Sequence, residues 1–475
     1  MLVETHLAFA SIAEIGKLYR SRKLSPVELT RFLLDRIARL NPRVNAYRTV
    51  CDEQALEQAA RTEKAFPGRR RGKSAPDLGP LHGIPISLKD NIYTAGIHTT
   101  AGSKILQNFA PLHDAPLVTA LKKAGAIILG KTNMHEFAYG ATSNNPHYGP
   151  VRNPWDETRI AGGSSGGSAA ALSAGLCFGS IGTDTGGSIR IPSSLCGVVG
   201  LKPGLGRVSA EDVIPLSPTL DSVGPLARTV EDAALLLQPI FRRGANERNL
   251  LPREFPSPRA RRAKLGIPKE FFFDVVSPEV QRAFDRSLDI LKRGGASIEE
   301  VSLSLLKEVD EAANHIATAE ATLYHQQAGW FPDRSADYGE DVRLRLEMGA
   351  KVSAVSYLKA LQTREEFIAA FHLALQDADV DALVVPTTPM VAPPIGEEST
   401  SIRGTLHPTR GLLLRLTRPA NLAGVPAISV PCGLTEEGLP AGLQFIGAVT
   451  DEALLLEFAC QFEQAVSCEA HPVLD

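Results

Sequence analysis

The glycine- and serine-rich stretch at residues 162–206, GGSSGGSAAALSAGLCFGSIGTDTGGSIRIPSSLCGVVGLKPGLG, is the feature that best indicates the fold. It holds 13 of the chain's 40 glycines and eight serines, and its charged residues are Asp184, Arg190 and Lys202. Glycine is favoured where the backbone takes a positive φ or approaches another group closely. The apolar, alanine-bearing segment inside the stretch is unlike a flexible linker. We therefore expect two tight turns around packed secondary structure.

Outward from this stretch, the sequence alternates between predicted helices and strands. Residues 165–174 predict a tightly packed helix, and residues 177–183 predict the strand that follows it. Further predicted strands are 126–130, 264–268, 381–387, 427–432 and 441–447, and predicted helices are 278–293, 352–376 and 451–466. This alternation is typical of an α/β fold, with a mixed central β-sheet covered by α-helices on both sides.

A helix start is predicted near the N-terminus, where Ser25, Pro26 and Glu28 precede the run LTRFLLDRIARL. Serine is a favoured N-cap, and proline fits the first helical position. A glutamate three residues after the serine completes a capping box. The sequence therefore predicts a long helix that begins at Pro26.

Charge and hydropathy exclude several classes of protein. The 475 residues include 50 Lys+Arg and 53 Asp+Glu, for a formal net charge of -3 at pH 7. Because positive and negative charges nearly cancel, the chain has no net electrostatic field that would steer it onto nucleic acid or an anionic membrane. No apolar run reaches about 18 residues, and the N-terminus lacks the basic start of a signal peptide. We expect a cytoplasmic monomer or homodimer that acts on a small molecule, without nucleic-acid or membrane partners.

Cysteines and histidines do not predict a metal site or a disulfide framework. The six cysteines are widely spaced and form no CxxC pair, which is typical of reduced thiols. They are Cys51, Cys177, Cys196, Cys432, Cys460 and Cys468. His135 and Glu136 start like a zinc-protease helix, but Tyr139 stands where the second histidine is needed. No metal is expected.

Two further motifs match known patterns in letters but not in context. Residues 125–132, GAIILGKT, fit a nucleotide-binding P-loop, yet the residues between the glycines are themselves a predicted strand. Residues 162–166, GGSSG, fit the nucleophile elbow of α/β-hydrolases, which must follow a buried strand. The preceding residues RNPWDETRIA are typical of a loop. A Ser-His-Asp triad on Ser164 remains an alternative.

A serine nucleophile and an unusual base fit the sequence better. Ser188 follows two glycines, whose backbone N–H groups can point at one spot, as an oxyanion hole requires. A serine nucleophile needs a base, and residues 148–314 contain no histidine. Lys89 ends the apolar run IPISL. Because burial disfavours the charged ammonium, a lysine there can be neutral near pH 7 and accept a proton.

Three separated motifs resemble the amidase signature family of C–N hydrolases. They are GIPISLKDNI at 83–92, GGSSGGSAAA at 162–171 and GTDTGGSIRIPSSLCGVVGLKP at 182–203. The resemblance runs from LSPVELT, around Ser25, to the C-terminal PANLAGVPAISVPCGLTEEGLPAGLQFIGA. It implies the amidase signature fold in one domain, residues 1–475, with N-terminal helices at 1–75 and a catalytic core at 80–245. A divergent region at 300–410 is expected to form the substrate pocket.

The resemblance implies a role for each matching residue. Ser188 is the expected nucleophile, Ser164 the bridging serine on a cis peptide bond, and Lys89 the general base. The expected oxyanion hole is formed by the backbone N–H groups of Thr185, Gly186, Gly187 and Ser188. No cofactor is implied.

Neighbouring residues are given supporting roles. We expect Asp184 and Arg190 to orient the nucleophile's loop through an ion pair. Tyr139, Gly163 and Ser165 are weaker candidates for contact with substrate, and Ser165 is expected to support the site rather than react.

The resemblance leaves more than one function open. It implies a hydrolase that cleaves carboxylic amides, including anilides or carbamates, through an acyl-enzyme. The alternative is the amidase subunit of a glutamine-dependent aminoacyl-tRNA amidotransferase. Ile191 stands where we expect glutamine in that subunit, which favours the free-standing hydrolase. A third, non-enzymatic interpretation is that the glycine turns serve packing alone.

Overall fold

An eleven-stranded mixed β-sheet forms the centre of the computed structural model, which describes residues 2–66, 78–242, 250, 262–448, 452–466 and 470–474. Its strands are β1 (Tyr47–Val50), β2 (Pro85–Lys89), β3 (Ile127–Thr132), β8 (Ser180–Asp184), β9 (Val199–Lys202), β10 (Ser222–Ala227), β11 (Lys264–Pro268), β12 (Ser297–Val301), β13 (Ala382–Pro386), β16 (Ala427–Leu434) and β17 (Pro440–Gly447). Three hairpins lie outside it: β4 (Asn144–Asn145) with β5 (Gly149–Pro150), β6 (Arg152–Asn153) with β7 (Asp156–Ile160), and β14 (Ser399–Ile402) with β15 (Thr405–Pro408).

The strand order is β1-β3-β2-β8-β10-β9-β16-β17-β13-β11-β12. Strands β3, β2 and β8 run parallel, as do β13, β11 and β12, and the pairs between these groups are antiparallel. Parallel neighbours end at the same edge of a sheet. The C-terminal residues of β2 and β8, Lys89 and Asp184, therefore lie at one edge.

Helices flank the sheet. They are α1 (Leu2–Phe9), α2 (Ile12–Arg20), α3 (Pro26–Val44), α4 (Asp52–Glu63), α5 (Pro116–Lys123), α6 (Gly166–Ser173), α7 (Arg190–Cys196), α8 (Val230–Leu237), α9 (Pro278–Arg293), α10 (Leu306–Gln327), α11 (Glu340–Gly349), α12 (Ala354–Asp377), α13 (Thr409–Arg415), α14 (Arg418–Leu422) and α15 (Glu452–Val466). The predicted fold class, a mixed sheet covered by helices on both sides, is confirmed.

Alternation along the strands shows that both sheet faces are buried. On β13, Ala382 and Val384 join one hydrophobic cluster, while Leu383 and Val385 join the other. Successive side chains of a strand point to opposite faces, so two cores lie on the two sides of the sheet. A strand covered on both faces is apolar throughout, which is why DALVVPT is recognisable in the sequence.

The N-terminal helix α3 is hydrogen-bonded to the C-terminal end of α6, the helix that follows Ser164 and Ser165. Helix α3 begins at Pro26 with the predicted capping box between Ser25 and Glu28. Farther along α3, the buried side chain of Arg36 donates two hydrogen bonds, each 3.1 Å, to the carbonyl of Ala174. That carbonyl ends α6, whose unpaired C-terminal carbonyls require such partners. Residues 67–75 of the predicted helical stretch lie outside the described residues.

Some elements differ from their predicted bounds. Strand β8 begins at Ser180 rather than residue 177, because the chain bends at Phe178 before it enters the sheet. The residues between the glycines of the P-loop-like motif form β3, as predicted. Helices α10 and α11 were not predicted, because their apolar positions follow no regular amphipathic pattern.

The cysteines in the described part of the chain are buried and form no disulfide with one another, and Cys468 lies outside it. Among the described residues, His, Cys, Asp and Glu side chains form no group of three able to hold a metal ion. Within the same ranges, no helix has the length and apolar character needed to cross a bilayer.

Candidate active site

Lys89 lies at the end of β2 in the middle of the sheet, with its side chain fully buried. Its Nζ donates hydrogen bonds of 2.7 Å to Ser164 Oγ and 2.7 Å to Thr183 Oγ1. Burial lowers the pKa of Lys89 to about 7, although the carboxylates of Asp221 and Asp184 oppose the shift. An amine with this pKa is substantially neutral at physiological pH and can accept a proton.

Ser164 is joined to Gly163 by a cis peptide bond, as the resemblance implied. Its carbonyl accepts hydrogen bonds from the backbone N–H of His135 at 3.2 Å and from Ser143 Oγ at 3.3 Å. A Cβ on Gly163 would lie 2.8 Å from the backbone nitrogen of Ser143. Only glycine therefore fits before Ser164.

Ser188 lies in the turn between β8 and α7. Gly187 has a φ of 136°, and a Cβ there would lie 2.2 Å from Thr417 Oγ1, so the turn requires glycine. The carbonyl of Ser188 accepts a 3.1 Å hydrogen bond from the N–H of Ser165. This bond holds the two serine-bearing turns together, and Ser188 lines a cavity at the protein surface.

The structure brings Lys89 and Ser164 into direct contact. Ser188 lies in the adjacent turn, but its hydroxyl makes no hydrogen bond within the described residues. Catalytic hydrogen bonds are often long or poorly aligned before substrate binds.

The backbone around Ser188 has both free and occupied N–H groups. Gly187 donates its N–H to Asp184 Oδ1 at 2.8 Å, so this group is not free to hold an oxyanion. Among the described residues, the N–H groups of Thr185, Gly186 and Ser188 have no hydrogen-bond acceptor. Three of the four predicted oxyanion-hole donors are thus available.

Asp184 and Arg190 form a fully buried ion pair at 2.9 Å beside this turn. Burial opposes ionisation of Asp184, but the charge and hydrogen bonds of Arg190 outweigh it and hold the pKa of this carboxyl well below its usual range. Arg190 also donates to Gln444 Oε1 and Asn421 Oδ1, each at 2.6 Å. The pair therefore ties the Ser188 turn to β17 and α14.

Tyr139 lines the same cavity as Ser188. Its hydroxyl is buried without a hydrogen-bond partner among the described residues. Burial raises the pKa of Tyr139 to about 12, so the hydroxyl stays protonated. Gly163 and Ser165 do not line the cavity; the Ser165 hydroxyl instead donates to the carbonyl of Thr183 at 3.2 Å.

Four residues near the site were missed from the sequence. Thr183 precedes Asp184 in β8, and pairing β2 with β8 would have placed it near Lys89. Asp221 accepts a hydrogen bond from Thr185 Oγ1, and burial raises its pKa to about 6. Arg410 and Arg418 line the cavity from α13 and α14. The last three lie in loops or short helices, where sequence pattern carries little signal.

Comparison with known proteins gives one consistent answer at the level of family. A family model described as Amidase matches residues 28–456. A glutamyl-tRNA(Gln) amidotransferase subunit from Syntrophobacter fumaroxidans is 40% identical over 489 residues, covering 96% of each chain. A crystal structure of an amidase superposes with a TM-score of 0.86 at 35% identity, covering 96% of this chain and 99% of that one. The glutamyl-tRNA(Gln) amidotransferase subunit from Thermotoga maritima gives 0.76 at 34% identity, covering 96% and 95%.

These relatives correct one prediction. The sequence led us to expect no nucleic-acid partner and a monomer or homodimer, and this is wrong, because extensively similar relatives are named as subunits of a tRNA amidotransferase. The error lies in the argument from net charge. A near-neutral charge describes long-range attraction only, and it does not exclude a tRNA-linked role in an assembly.

Proposed function

The chain belongs to the amidase family, and we propose that it is the amide-cleaving subunit of a glutamine-dependent aminoacyl-tRNA amidotransferase. The observation that carries the proposal is the 2.7 Å contact between Lys89 Nζ and Ser164 Oγ beside Ser188. The similarity to the amidotransferase subunits supports the tRNA-linked role, since it extends over nearly the whole of both chains. In this role the protein acts in the cytoplasm, with other protein chains and a tRNA as partners.

The reaction begins with proton transfer through two serines. Neutral Lys89 accepts the proton of Ser164, which accepts that of Ser188 as its Oγ forms a bond to the amide carbonyl. The backbone N–H groups of Thr185, Gly186 and Ser188 stabilise the oxyanion. Gly187 acts differently, since its N–H holds Asp184 and so fixes the turn.

Collapse of the tetrahedral intermediate breaks the C–N bond. The proton returns from Lys89 through Ser164 to the leaving nitrogen, which departs as ammonia from a primary amide. Water then gives a proton to the same relay and attacks the ester on Ser188, which releases the acid and restores the serine. The mechanism requires no cofactor.

We further propose that residues 1–475 form one domain, with N-terminal helices at 1–75, a core at 80–245 and a substrate-pocket region at 300–410. Arg410 and the α10 residues Ala313 and Asn314 at the cavity support the last assignment. Substrate contact at Gly163 and Ser165 stays a prediction. Neither residue lines the cavity.

A free-standing hydrolase of amides, anilides or carbamates is the second candidate function. The specific observation in its favour is the higher TM-score of the amidase structure, 0.86 against 0.76 for the Thermotoga maritima amidotransferase subunit. Ile191, in place of the expected glutamine, points in the same direction.

Reconstitution separates the two candidates. The purified chain is combined with the other subunits of a related amidotransferase, and glutaminyl-tRNA formed from glutamyl-tRNA and glutamine is measured. We expect formation with the wild-type chain and none with Ser188→Ala. Rapid hydrolysis of simple amides by the chain alone, with no nitrogen transfer in the assembly, would contradict the first candidate and support the second.

A further inference from the structure

One wall of the cavity beside Ser188 is formed by Tyr139 and Arg410. Ser188, Thr185 and Gly186 form the side where the amide carbonyl would be attacked. Tyr139 and Arg410 line the same cavity. An acyl chain that occupies this cavity while its carbonyl lies at Ser188 would therefore contact these two side chains.

Positive charge exceeds negative charge around this wall. Arg418 is paired with Asp310 at 2.9 Å, and Arg345 with Asp341 at 2.9 Å. Arg410 has no ion pair or hydrogen bond within the described part of the chain. The three arginines near this wall therefore carry one more charge than the two aspartates that pair with them.

The unpaired arginine is also partly buried. Arg410 Nε is buried without a hydrogen-bond partner among the described residues. Burial, together with the charges of Arg345 and Arg418, lowers the pKa of Arg410 to about 9, and Tyr139 and Asp341 oppose the shift. His135 adds a further titratable group, bonded to Asp341 at 2.8 Å.

A second unsatisfied donor faces the same cavity. The Tyr139 hydroxyl is buried and unpartnered in the described structure, and Arg345 lies over its ring at 5.6 Å while donating to its carbonyl at 2.6 Å. Leaving a buried donor unsatisfied costs free energy, and an unpaired buried charge costs more. Two such donors at one cavity indicate an anionic ligand that satisfies both.

We infer that this cavity is an acyl subsite for a carboxylate, held by the Arg410 guanidinium and the Tyr139 hydroxyl. The substrate is then a carboxamide whose acyl chain carries a carboxylate. The inference rests on the proposed function in one respect, that Ser188 attacks the amide. Arginine suits this role because its planar fork matches a carboxylate and keeps its charge.

Two sources of this chemistry can be distinguished. Glutamine carries an α-ammonium beside its carboxylate, whereas the monoamide of glutarate carries the carboxylate alone. The described residues that line the cavity include no aspartate or glutamate that could pair with an ammonium. We therefore expect the glutarate monoamide to bind at least as tightly as glutamine.

Calorimetric binding to the full-length Ser188→Ala protein tests the inference without turnover. Glutarate monoamide, glutamine and pentanamide, which has a methyl group in place of the carboxylate, are compared. We expect glutarate monoamide to bind about 10- to 100-fold more tightly than pentanamide, as for a hydrogen-bonded charge. Arg410→Gln should remove that preference, while Arg343→Gln, which removes a guanidinium from α11 outside the cavity, should keep it. Thermal melting verifies that each variant is folded.

Parallel turnover assays keep the two proposals apart. If the wild-type chain cleaves glutarate monoamide and pentanamide with equal kcat/KM, or Arg410→Gln keeps the binding preference, the carboxylate subsite is overturned while amide hydrolysis stands. If Ser188→Ala binds carboxylates through Arg410 but the wild-type chain, alone and in its assembly, cleaves no amide, the hydrolytic proposal fails and the subsite stands. Preference for glutamine over the monoamide supports the subsite but identifies the amino acid as its occupant.

Discussion

Lys89 Nζ lies 2.7 Å from Ser164 Oγ at a position fully shielded from solvent. The contact joins the end of β2 to the turn before α6, two segments 75 residues apart in sequence. Burial makes the lysine a base, and the serine connects it to the turn that carries Ser188.

Replacing Lys89 with methionine should abolish most amide hydrolysis. Methionine fills a similar volume but accepts no proton, so kcat is expected to fall about 100- to 10,000-fold. Ammonia release measures the loss. Lys123→Met, at an exposed position on α5, is the matched control and should retain wild-type kcat. A Lys89→Met protein with near-normal kcat would mean that another group is the base.

Activity should rise with pH through about 7. Lys89 must be neutral to accept a proton, and burial sets its pKa at about 7. Below that value the ammonium dominates, so kcat/KM is expected to fall about tenfold for each further pH unit, with a plateau above. A profile of kcat/KM against pH measures the midpoint. An activity independent of pH between 5 and 8 would rule out a titrating base of this kind.

Asp221→Asn should move that midpoint to lower pH. The carboxylate of Asp221 raises the pKa of Lys89, so removing its charge favours the neutral amine. The same pH profile, measured on the variant, shows the shift. Asp212→Asn provides a control, because Asp212 is partly exposed and has a positive φ that asparagine tolerates. An unchanged midpoint in Asp221→Asn would show that this charge does not act on Lys89.

The two adjacent serines should differ sharply. Ser164→Ala removes the acceptor of Lys89 and is expected to lower kcat about 100-fold or more. Ser165→Ala removes a hydrogen bond to the Thr183 carbonyl, which is worth about 1 kcal/mol of stability, and should reduce kcat less than about tenfold. Steady-state kinetics on both variants decides the question. Equal losses would argue against Ser164 as the bridging residue.

Arg190→Met should destabilise the protein by about 3–5 kcal/mol, because it leaves Asp184 charged and unpaired in the interior. The free energy of unfolding is obtained from urea denaturation. Arg343→Met breaks a partly exposed pair with Glu347 on α11 and should cost less than about 1 kcal/mol. If the two variants unfold at similar urea concentrations, the buried pair does not support the Ser188 turn as described.

The sequence predicted those elements that are either apolar throughout or clearly amphipathic. Strand β11 and helix α9 match their predicted bounds, since one is an apolar run and the other has a clear amphipathic period. The start of α3 was readable because the capping box is a local interaction. Helices α10 and α11 lack such a period, and α10 packs against α11 and α12 instead.

The candidate site was predictable in part for the same reason. Lys89, Ser164 and Ser188 lie in motifs with fixed local geometry, so sequence alone could single them out. Asp221 and Arg410 reach the site through tertiary packing from loops and a short helix, and their local sequence carries no signal for it. The oxyanion-hole prediction overlooked the bond from Gly187 to Asp184, because the direction of an N–H within a turn depends on the folded backbone.

A rapid-quench experiment tests directly whether Ser188 is the nucleophile. The chain is mixed with the p-nitroanilide of glutarate, quenched during the first turnover and analysed by peptide mass spectrometry. We expect a burst of nitroaniline with a glutaryl ester on the peptide containing Ser188, and neither signal in Ser188→Ala. A glutaryl adduct on any other residue, or an undiminished burst from Ser188→Ala, would contradict it.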